Sequence, residues 1–344
     1  MAATGGAAAR ARVQPGTGVL PVPSRRHRRD RSDPAARRHR TEPPQSRRLD
    51  PRPGDPTPRS LSPATLGSVT DRTHVRRTAV DAVAAASRVV RAHVRDAAAL
   101  APEEKAAGDY VTAVDRAAEA AALSVLRERT PDIAVLAEES GGGSGDRIWV
   151  VDPVDGTTNL LRGFPIVGVS VALLEEGRPV AGAVGAPLLG EVWHAAEGAG
   201  ATDARGTPLR VGDRSPRASV VATGFPFRDK SDSVLALYEP VFRAALRAFE
   251  DLRRAGAASL DLAYTAAAVF DGFFELGLAV WDIAAGALLI REAGGVVTDW
   301  RGDPDSVFRS GNILAGGPAW HEAMLQITTA VTAAGAESGE RPSS

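Results

Sequence analysis

Apolar residues along the chain fall into two rhythms. From Asp71 to about Leu100 they recur at helical spacing, with Val80, Val83, Val90 and Val94 on one face. Pro102-Glu103-Glu104-Lys105 and Gly108 break that pattern. A second helix follows, with Val114, Ala118, Ala121, Ala122 and Val125 on one side, and ends near Thr130-Pro131. Its opening, Thr112-Ala113-Val114-Asp115, has capping-box spacing. Short apolar runs then read as strands: Ile133 to Ala137, Ile148 to Val151, Ile166 to Leu174 and Pro179 to Ala186. The last two join as a hairpin at Glu175-Glu176-Gly177-Arg178, and Glu191 to Ala196, Thr207 to Val211 and Ala218 to Thr223 continue a β-rich middle.

The final third alternates. An amphipathic helix is expected over Ser233 to Glu250, a strand at Leu252–Ala255, a helix over Ser259–Phe270 and a strand at Phe273–Leu276. A helix from Trp281 to Ala293 stops at Gly294-Gly295. Strands at Val296–Trp300 and Asn312–Gly316 and a helix from Ala319 complete the pattern. Residues 1–70 have no such rhythm. They hold 11 prolines and 14 arginines, too little apolar surface to offset the entropy of ordering, so this Arg/Pro-rich tail is expected to be disordered. The folded part is placed at 71–334, as two subdomains divided near 215, with 335–344 a disordered end.

Within this pattern one stretch concentrates chemistry. Ile148 to Val151 reads as a buried strand ending at Asp152, with Pro153 stopping it and Gly156 allowing a tight turn. Thr157, Thr158 and Asn159 are then residue types that cap a helix. Asp152 and Asp155 suit a hard cation, and free backbone N–H groups at a helix start suit a phosphate. The neighbouring strand also ends in acid, at Glu138-Glu139, before a flexible Gly141–Gly145 loop. Alone, such a pair reads as a solvated loop; beside Asp152 and Asp155 it reads as convergence. Asp282, after Trp281, is the late candidate, with a helix cap as the competing reading. By spacing alone Asp115 also reads as a helix-start residue.

Composition narrows the chemistry. There is no cysteine, which removes disulfides, thiolate zinc sites, iron–sulfur clusters and cysteine nucleophiles. The six histidines have no metal-ligand spacing. Residues 1–70 carry 14 Arg against 5 Asp and Glu, so the remainder has a net charge of −10 within a total of −1. An acidic globular part fits a cation binder better than a nucleic-acid binder. No apolar run reaches membrane-spanning length. Neither a G-x-x-x-x-G-K-[ST] loop nor a G-x-S-x-G elbow occurs. Four converging carboxylates need raised pKa values or bound cations, and all-oxygen ligands point to Mg²⁺.

Over about residues 75–330 the chain resembles the inositol monophosphatase family, within the Mg²⁺-dependent, lithium-sensitive phosphatase superfamily. The resemblance rests on Asp109-Tyr110-Val111-Thr112-Ala113-Val114-Asp115, Ala137-Glu138-Glu139-Ser140, Asp152 to Thr158, and Trp281-Asp282-Ile283-Ala284-Ala285-Gly286, in the family's order. It implies a layered α/β/α/β/α sandwich of the inositol monophosphatase and fructose-1,6-bisphosphatase type. It implies metal ligation by Glu138, Asp152, Asp155, Asp282 and the carbonyl of Val154. Asp115 and Thr157 would position and activate the attacking water, with Glu138 also in the catalytic set. The backbones of Gly156 and Thr157 would hold phosphate. Asp155, Glu275 and the Gly256-Ala257-Ala258 loop would contact substrate. Ala257 stands where the family commonly has Ser or Thr, Ala137 where it usually has Gly, and Val154 where it has Ile.

The implied activity is Mg²⁺-dependent hydrolysis of myo-inositol 1-phosphate or a similar polyol phosphate, by a cytoplasmic homodimer acting on a small-molecule phosphate ester. No membrane or nucleic-acid partner is expected. The nearest alternative keeps the chemistry and changes the ester: histidinol phosphate, a 3′-phosphoadenosine phosphate or fructose bisphosphate. A reading of another class is a regulatory protein that meets RNA or the transcription machinery through its Arg-rich tail.

Overall fold

A computed structural model describes residues 69–94, 103–106, 109–226 and 230–339. Most of the expected tail, the end of the first expected helix at 95–100 and the last residues, 340–344, lie outside them. Helix α1 (Val69–His93) is followed by a pair of short antiparallel strands, β1 (Glu103–Ala106) and β2 (Asp109–Val111). These strands replace the expected break: the backbones of a four-residue and a three-residue segment flanking Gly108 pair with each other. Helix α2 (Ala113–Arg129) opens with a complete capping box at Thr112, as its sequence predicts.

Next come β3 (Ala134–Ala137), β4 (Gly141–Gly142), β5 (Arg147–Asp155), helix α3 (Thr157–Arg162), β6 (Gly168–Glu175), β7 (Arg178–Ala186), β8 (Glu191–Ala196) and β9 (Ala201–Asp203). They form a seven-stranded sheet in the order β4-β3-β5-β6-β7-β8-β9, in which β3 and β5 run parallel. The β6–β7 hairpin turns through Glu176 and Gly177, both at positive φ, where glycine fits without strain. Pro153 does not end β5, as expected from sequence. It falls within a register irregularity between Asp152 and Asp155, where a residue lacking an N–H costs the ladder nothing. Thr207–Val211 is not a strand; it makes one isolated bridge, at Pro208, to Thr202.

The rest builds a second, five-stranded sheet. A 3₁₀ turn at Pro216–Ala218 leads to β10 (Val220–Thr223), α4 (Asp232–Ala248), β11 (Asp251–Arg253), α5 (Ala258–Ala266), β12 (Gly272–Glu275), α6 (Val280–Glu292), β13 (Val296–Thr298), α7 (Val307–Ser310), β14 (Ile313–Gly316) and α8 (Pro318–Gly339). The strand order is β11-β10-β12-β14-β13. All seven strands of the first sheet precede residue 215 and all five of the second follow it. Helix α8 takes in 335–339, which the sequence assigned to a disordered end; an Ala-rich run propagates a helix already begun.

Alternation along the strands sets the layers. Val169, Val171 and Leu173 of β6 pack in a core with α1 and α2, while Ala172 and Leu174 pack with α5 and α6. In β12, Phe273 faces the α5–α6 core and Phe274 the core of α4 and α8. The layers therefore run helix, sheet, helix, sheet, helix. Helices α5 and α6 are the middle layer, covered on both sides, which is why their buried residues show no single stripe.

Close approach in that middle layer explains the small residues of Ala284-Ala285-Gly286. A Cβ on Gly286 would lie 2.4 Å from Cβ of Leu262 in α5. A Cβ on Gly182 of β7 would lie 3.2 Å from Ala285 on the other side. Gly286→Ala gains about 1 kcal/mol of helix propensity, but overpacking costs about 1–3 kcal/mol. The expected outcome in urea unfolding is a net loss of about 1 kcal/mol, the middle of that difference; raised stability would show that α5 and α6 are not pressed together there.

Candidate active site

Pairing places the first two acids side by side. Ala137 of β3 is in register with Val151 of β5, so Glu138 and Asp152 follow at the same end of two parallel strands. The backbone N–H of Glu138 donates to the carbonyl of Val151 at 3.1 Å and continues that register. Asp152 is fully buried, and its Oδ1 accepts from the N–H of Val154 at 3.0 Å. The irregularity around Pro153 turns the chain so that Asp155 follows on the same cleft wall.

Asp155 then does the work of a helix cap for α5. The N-cap position there is Ala257, which has no side-chain acceptor. Oδ2 of Asp155 instead accepts from the N–H of Ser259 at 2.7 Å and from its hydroxyl at 2.6 Å. The positive end of α5 thus sits against a carboxylate, a favourable arrangement for both. Gly168 makes room for it, since a Cβ there would lie 2.2 Å from Ser259 Oγ.

Thr157 is not the cap of α3. Gly156 holds that position, at φ 93°, and makes no side-chain bond. The Thr157 hydroxyl instead donates to Oδ1 of Asp115 at 2.8 Å and lies 3.2 Å from the carbonyl of Val154. Asp115 serves two ends at once. Its Oδ2 accepts from the N–H of Thr112 at 3.0 Å and from the Thr112 hydroxyl, closing the capping box, while Oδ1 faces Thr157. Cap and site are one residue. Asn159, also expected as a cap type, spans from α3 to the next loop: its Nδ2 donates to Ile166 at 2.7 Å and to Ala255 at 2.9 Å.

Asp282 lies at the third position of α6 and not at its N-cap, which is Ala279; its Oδ2 accepts from the N–H of Ala279 at 2.8 Å. The Ser170 hydroxyl donates to the carbonyl of Trp281 at 2.9 Å and ties that turn to β6. Glu275, at the end of β12, is buried against Gly224, where a Cβ would fall 1.9 Å from its carboxyl carbon. One cleft of about 280 Å³ is lined by Glu138, Asp152, Val154, Asp155, Gly156, Thr157, Gly256, Ala257, Ala258, Glu275 and Asp282. Of the residues singled out from sequence, Asp115 alone is not on its wall and stands behind Thr157.

Electrostatics make this an uneasy group. Asp152 is pushed well above the usual carboxylate range, first by burial and then by the charges of Glu138, Asp155 and Asp282. Glu275 is raised well above its ordinary value by burial, then by Asp261 and Asp282, with Arg254 pulling the other way. Burial also lifts Asp115, and the bonds from Thr112 and Thr157 draw it back. Among the described residues no three of these groups are gathered closely enough to grip an ion as they stand. The donor set nonetheless fits a hard divalent cation: carboxylates and one carbonyl, all oxygen, repelling one another in a cleft. Glu138, Asp152, Asp155, Asp282 and the carbonyl of Val154 are the residues that would hold it.

Other members of the site were not singled out from sequence. Glu119, Ser259, Arg254 and Asp261 are single residues in helices or at a strand end, and nothing in the neighbours of the last three marks them. Only Glu119 had a usable signal, since it lies four residues after Asp115 on the same helix face. Arg254 is a cation on the cleft wall, with its guanidinium 5.4 Å from the Phe225 ring. Asp261 is buried on the same wall, and one of its oxygens has no hydrogen-bond partner.

Because the pKa values of Asp152 and Glu275 are raised, cation binding competes with protons. At low pH the acids are neutral and repel little; as pH rises through their folded values they ionise, and the cation-free chain loses stability. A bound divalent cation opposes that loss. The expected outcome is a Mg²⁺-induced rise in melting temperature that is larger at pH 8 than at pH 5. An equal rise at both would mean that the ion binds elsewhere.

With the geometry in place, comparisons with known proteins are informative. The sequence model of the inositol monophosphatase family matches residues 71–333. The Nus factor SuhB of Pseudomonas aeruginosa is 45% identical over 228 residues, spanning 64% of this chain and 83% of its own. The crystal structure of the extragenic suppressor protein suhB from Bartonella henselae superposes with a TM-score of 0.70 at 36% identity, over 74% of this chain and 98% of that one. An inositol monophosphatase from Anabaena (Nostoc) sp. PCC 7120 gives a TM-score of 0.67 at 32% identity, over 75% and 96%. Fold, acid-lined cleft and sequence agree, and the chain belongs to the inositol monophosphatase family.

Proposed function

We propose that this chain is a Mg²⁺-dependent phosphomonoesterase acting on myo-inositol 1-phosphate or a similar polyol phosphate. The observation that carries this reading is the Thr157–Asp115 hydrogen bond at the edge of the acid-lined cleft. A hydroxyl already donating to a buried carboxylate offers its lone pairs to a water and passes the proton gained on to that carboxylate. A divalent cation, held by Glu138, Asp152, Asp155, Asp282 and the carbonyl of Val154, would supply Lewis acidity toward a water and positive charge beside the phosphate and the leaving oxygen.

The chain's own residues supply the rest. The backbone at Gly156 and Thr157, at the start of α3, meets the phosphate oxygens. The water attacks phosphorus in line with the ester bond, which breaks as the new P–O bond forms, and the leaving alcohol takes its proton from solvent. Asp155, held by Ser259, and Glu275 face the alcohol's hydroxyls. A cleft of about 280 Å³ is at the small end for ligand sites and favours a compact ester.

Asp155→Asn is expected to lower kcat with Mg²⁺ by about 10²–10³-fold, and Thr157→Ala by about 10²-fold or more. Near-normal turnover in Asp155→Asn places the reaction elsewhere. A panel of phosphate esters, assayed with and without Li⁺, tests the substrate. Polyol monophosphates are expected to lead, with inhibition by Li⁺. Preference for histidinol phosphate by about 10²-fold, or about 2.7 kcal/mol, overturns the polyol assignment and leaves the chemistry standing.

A second reading is favoured by the relatives named Nus factor SuhB: the chain also joins a transcription complex. Co-elution of the purified chain with an elongation complex from its own organism tests it. Co-elution of both wild type and Asp155→Asn supports a role separate from hydrolysis; elution apart from the complex overturns it.

A further inference from the structure

Helix α2 reaches the site twice. Asp115 contacts Thr157, and one turn later Glu119, which is buried, points its carboxylate at the loop that leaves β3. Oε2 accepts from the N–H of Glu139 at 2.9 Å and Oε1 from the N–H of Ser140 at 3.1 Å. Those are the two residues directly after Glu138. We infer that Glu119 is a positioning residue for the cation site: its carboxylate fixes the backbone of the 138–140 loop and, through it, the reach of the Glu138 side chain. The inference rests on the reading of the cleft as a cation-dependent phosphatase site.

The loop needs such a tether. Beyond Ser140, Gly141 and Gly142, at φ 68° and 150°, turn back as β4 beside Leu136 and Ala137, so sheet pairing resumes only after residues 138–140. On the other side the register with β5 carries only as far as the N–H of Glu138. Two adjacent N–H groups lie between, and a carboxylate satisfies both with one planar group through charge-assisted bonds. Packing alone does not require an acid there. A further negative charge near a cluster of acids is unfavourable, and a neutral side chain of equal size would fill the volume. Glutamine presents one acceptor oxygen and one amide that faces an N–H, so it keeps at most one of the two bonds.

Mn²⁺ binding, measured by calorimetry without substrate, separates positioning from a general loss of stability. Glu119→Gln is expected to raise Kd for Mn²⁺ by about 10–100-fold, as outer-shell partners of metal ligands do, with kcat largely restored at saturating cation. Met324→Ala, which opens a cavity in the α4–α8 core away from the cleft, serves as the control for stability loss alone and is expected to keep the wild-type Kd. If wild type binds Mn²⁺ and Glu119→Gln binds within about twofold of it, the role assigned to Glu119 is wrong while the cation site stands. If wild type binds none, the cation-site reading itself falls. Should Glu119→Gln not fold, hydrogen exchange in the cation-free wild type decides. The amides of Glu139 and Ser140 are expected to exchange at least about tenfold more slowly than free-chain amides, and exchange at the free-chain rate overturns the inference.

Discussion

Carboxylates drawn together away from water lose hydration and repel one another, and the architecture of this chain is shaped by holding several of them in one place. Four acids of the site are each met by a backbone N–H. Asp115 takes that of Thr112, Asp152 that of Val154, Asp155 that of Ser259 and Asp282 that of Ala279. Three of these four donors belong to the first turns of helices α2, α5 and α6, where the N–H groups have no partner within the helix. The acids satisfy the helix ends, and the helix ends offset part of the acids' charge. What remains unbalanced, seen in the raised pKa of Asp152, is the part a cation would meet.

Layering makes that convergence possible. The acids come from strand ends of both sheets and from helices in two different layers, so no local segment could assemble them. Helices α5 and α6 are held between the sheets by alanine and glycine contacts, and their N-terminal ends open onto the same cleft as the end of β5. The small residues therefore act at a distance. Gly286 and Gly182 bring layers close, Gly168 leaves room for Ser259 behind Asp155, and Gly224 leaves room for Glu275 on the cleft wall.

One wall of the cleft is built differently. Arg254, Asp261, Glu275 and the alanines at 257 and 258 line it, with the Arg254 guanidinium over the Phe225 ring and one Asp261 oxygen unpaired. In the proposed reaction this wall, together with Asp155, would face the alcohol part of the substrate. Ala257 offers no hydroxyl, and the bond a Ser or Thr would make there is replaced by Asp155 on Ser259.

The sequence by itself determined most of the elements and where the acids of the cleft lie along them. Apolar alternation marked the central strands, capping spacing marked α2, and the acids at 138, 152, 155 and 282 stood next to strand ends and helix starts, where a local pattern can be read. It erred where a residue's role depends on a distant partner. Pro153 reads as a strand stop but falls in a bulge that β6 accommodates, and Thr157 reads as a cap but bonds Asp115, 42 positions earlier. Glu119, Ser259 and Arg254 carry no local signal for what they touch, because the loops and strands they meet are brought near only by the stacking of layers. Which acids are buried, and so which lose their ordinary pKa, is likewise a property of packing: desolvation depends on the surrounding chain and not on the neighbours in sequence.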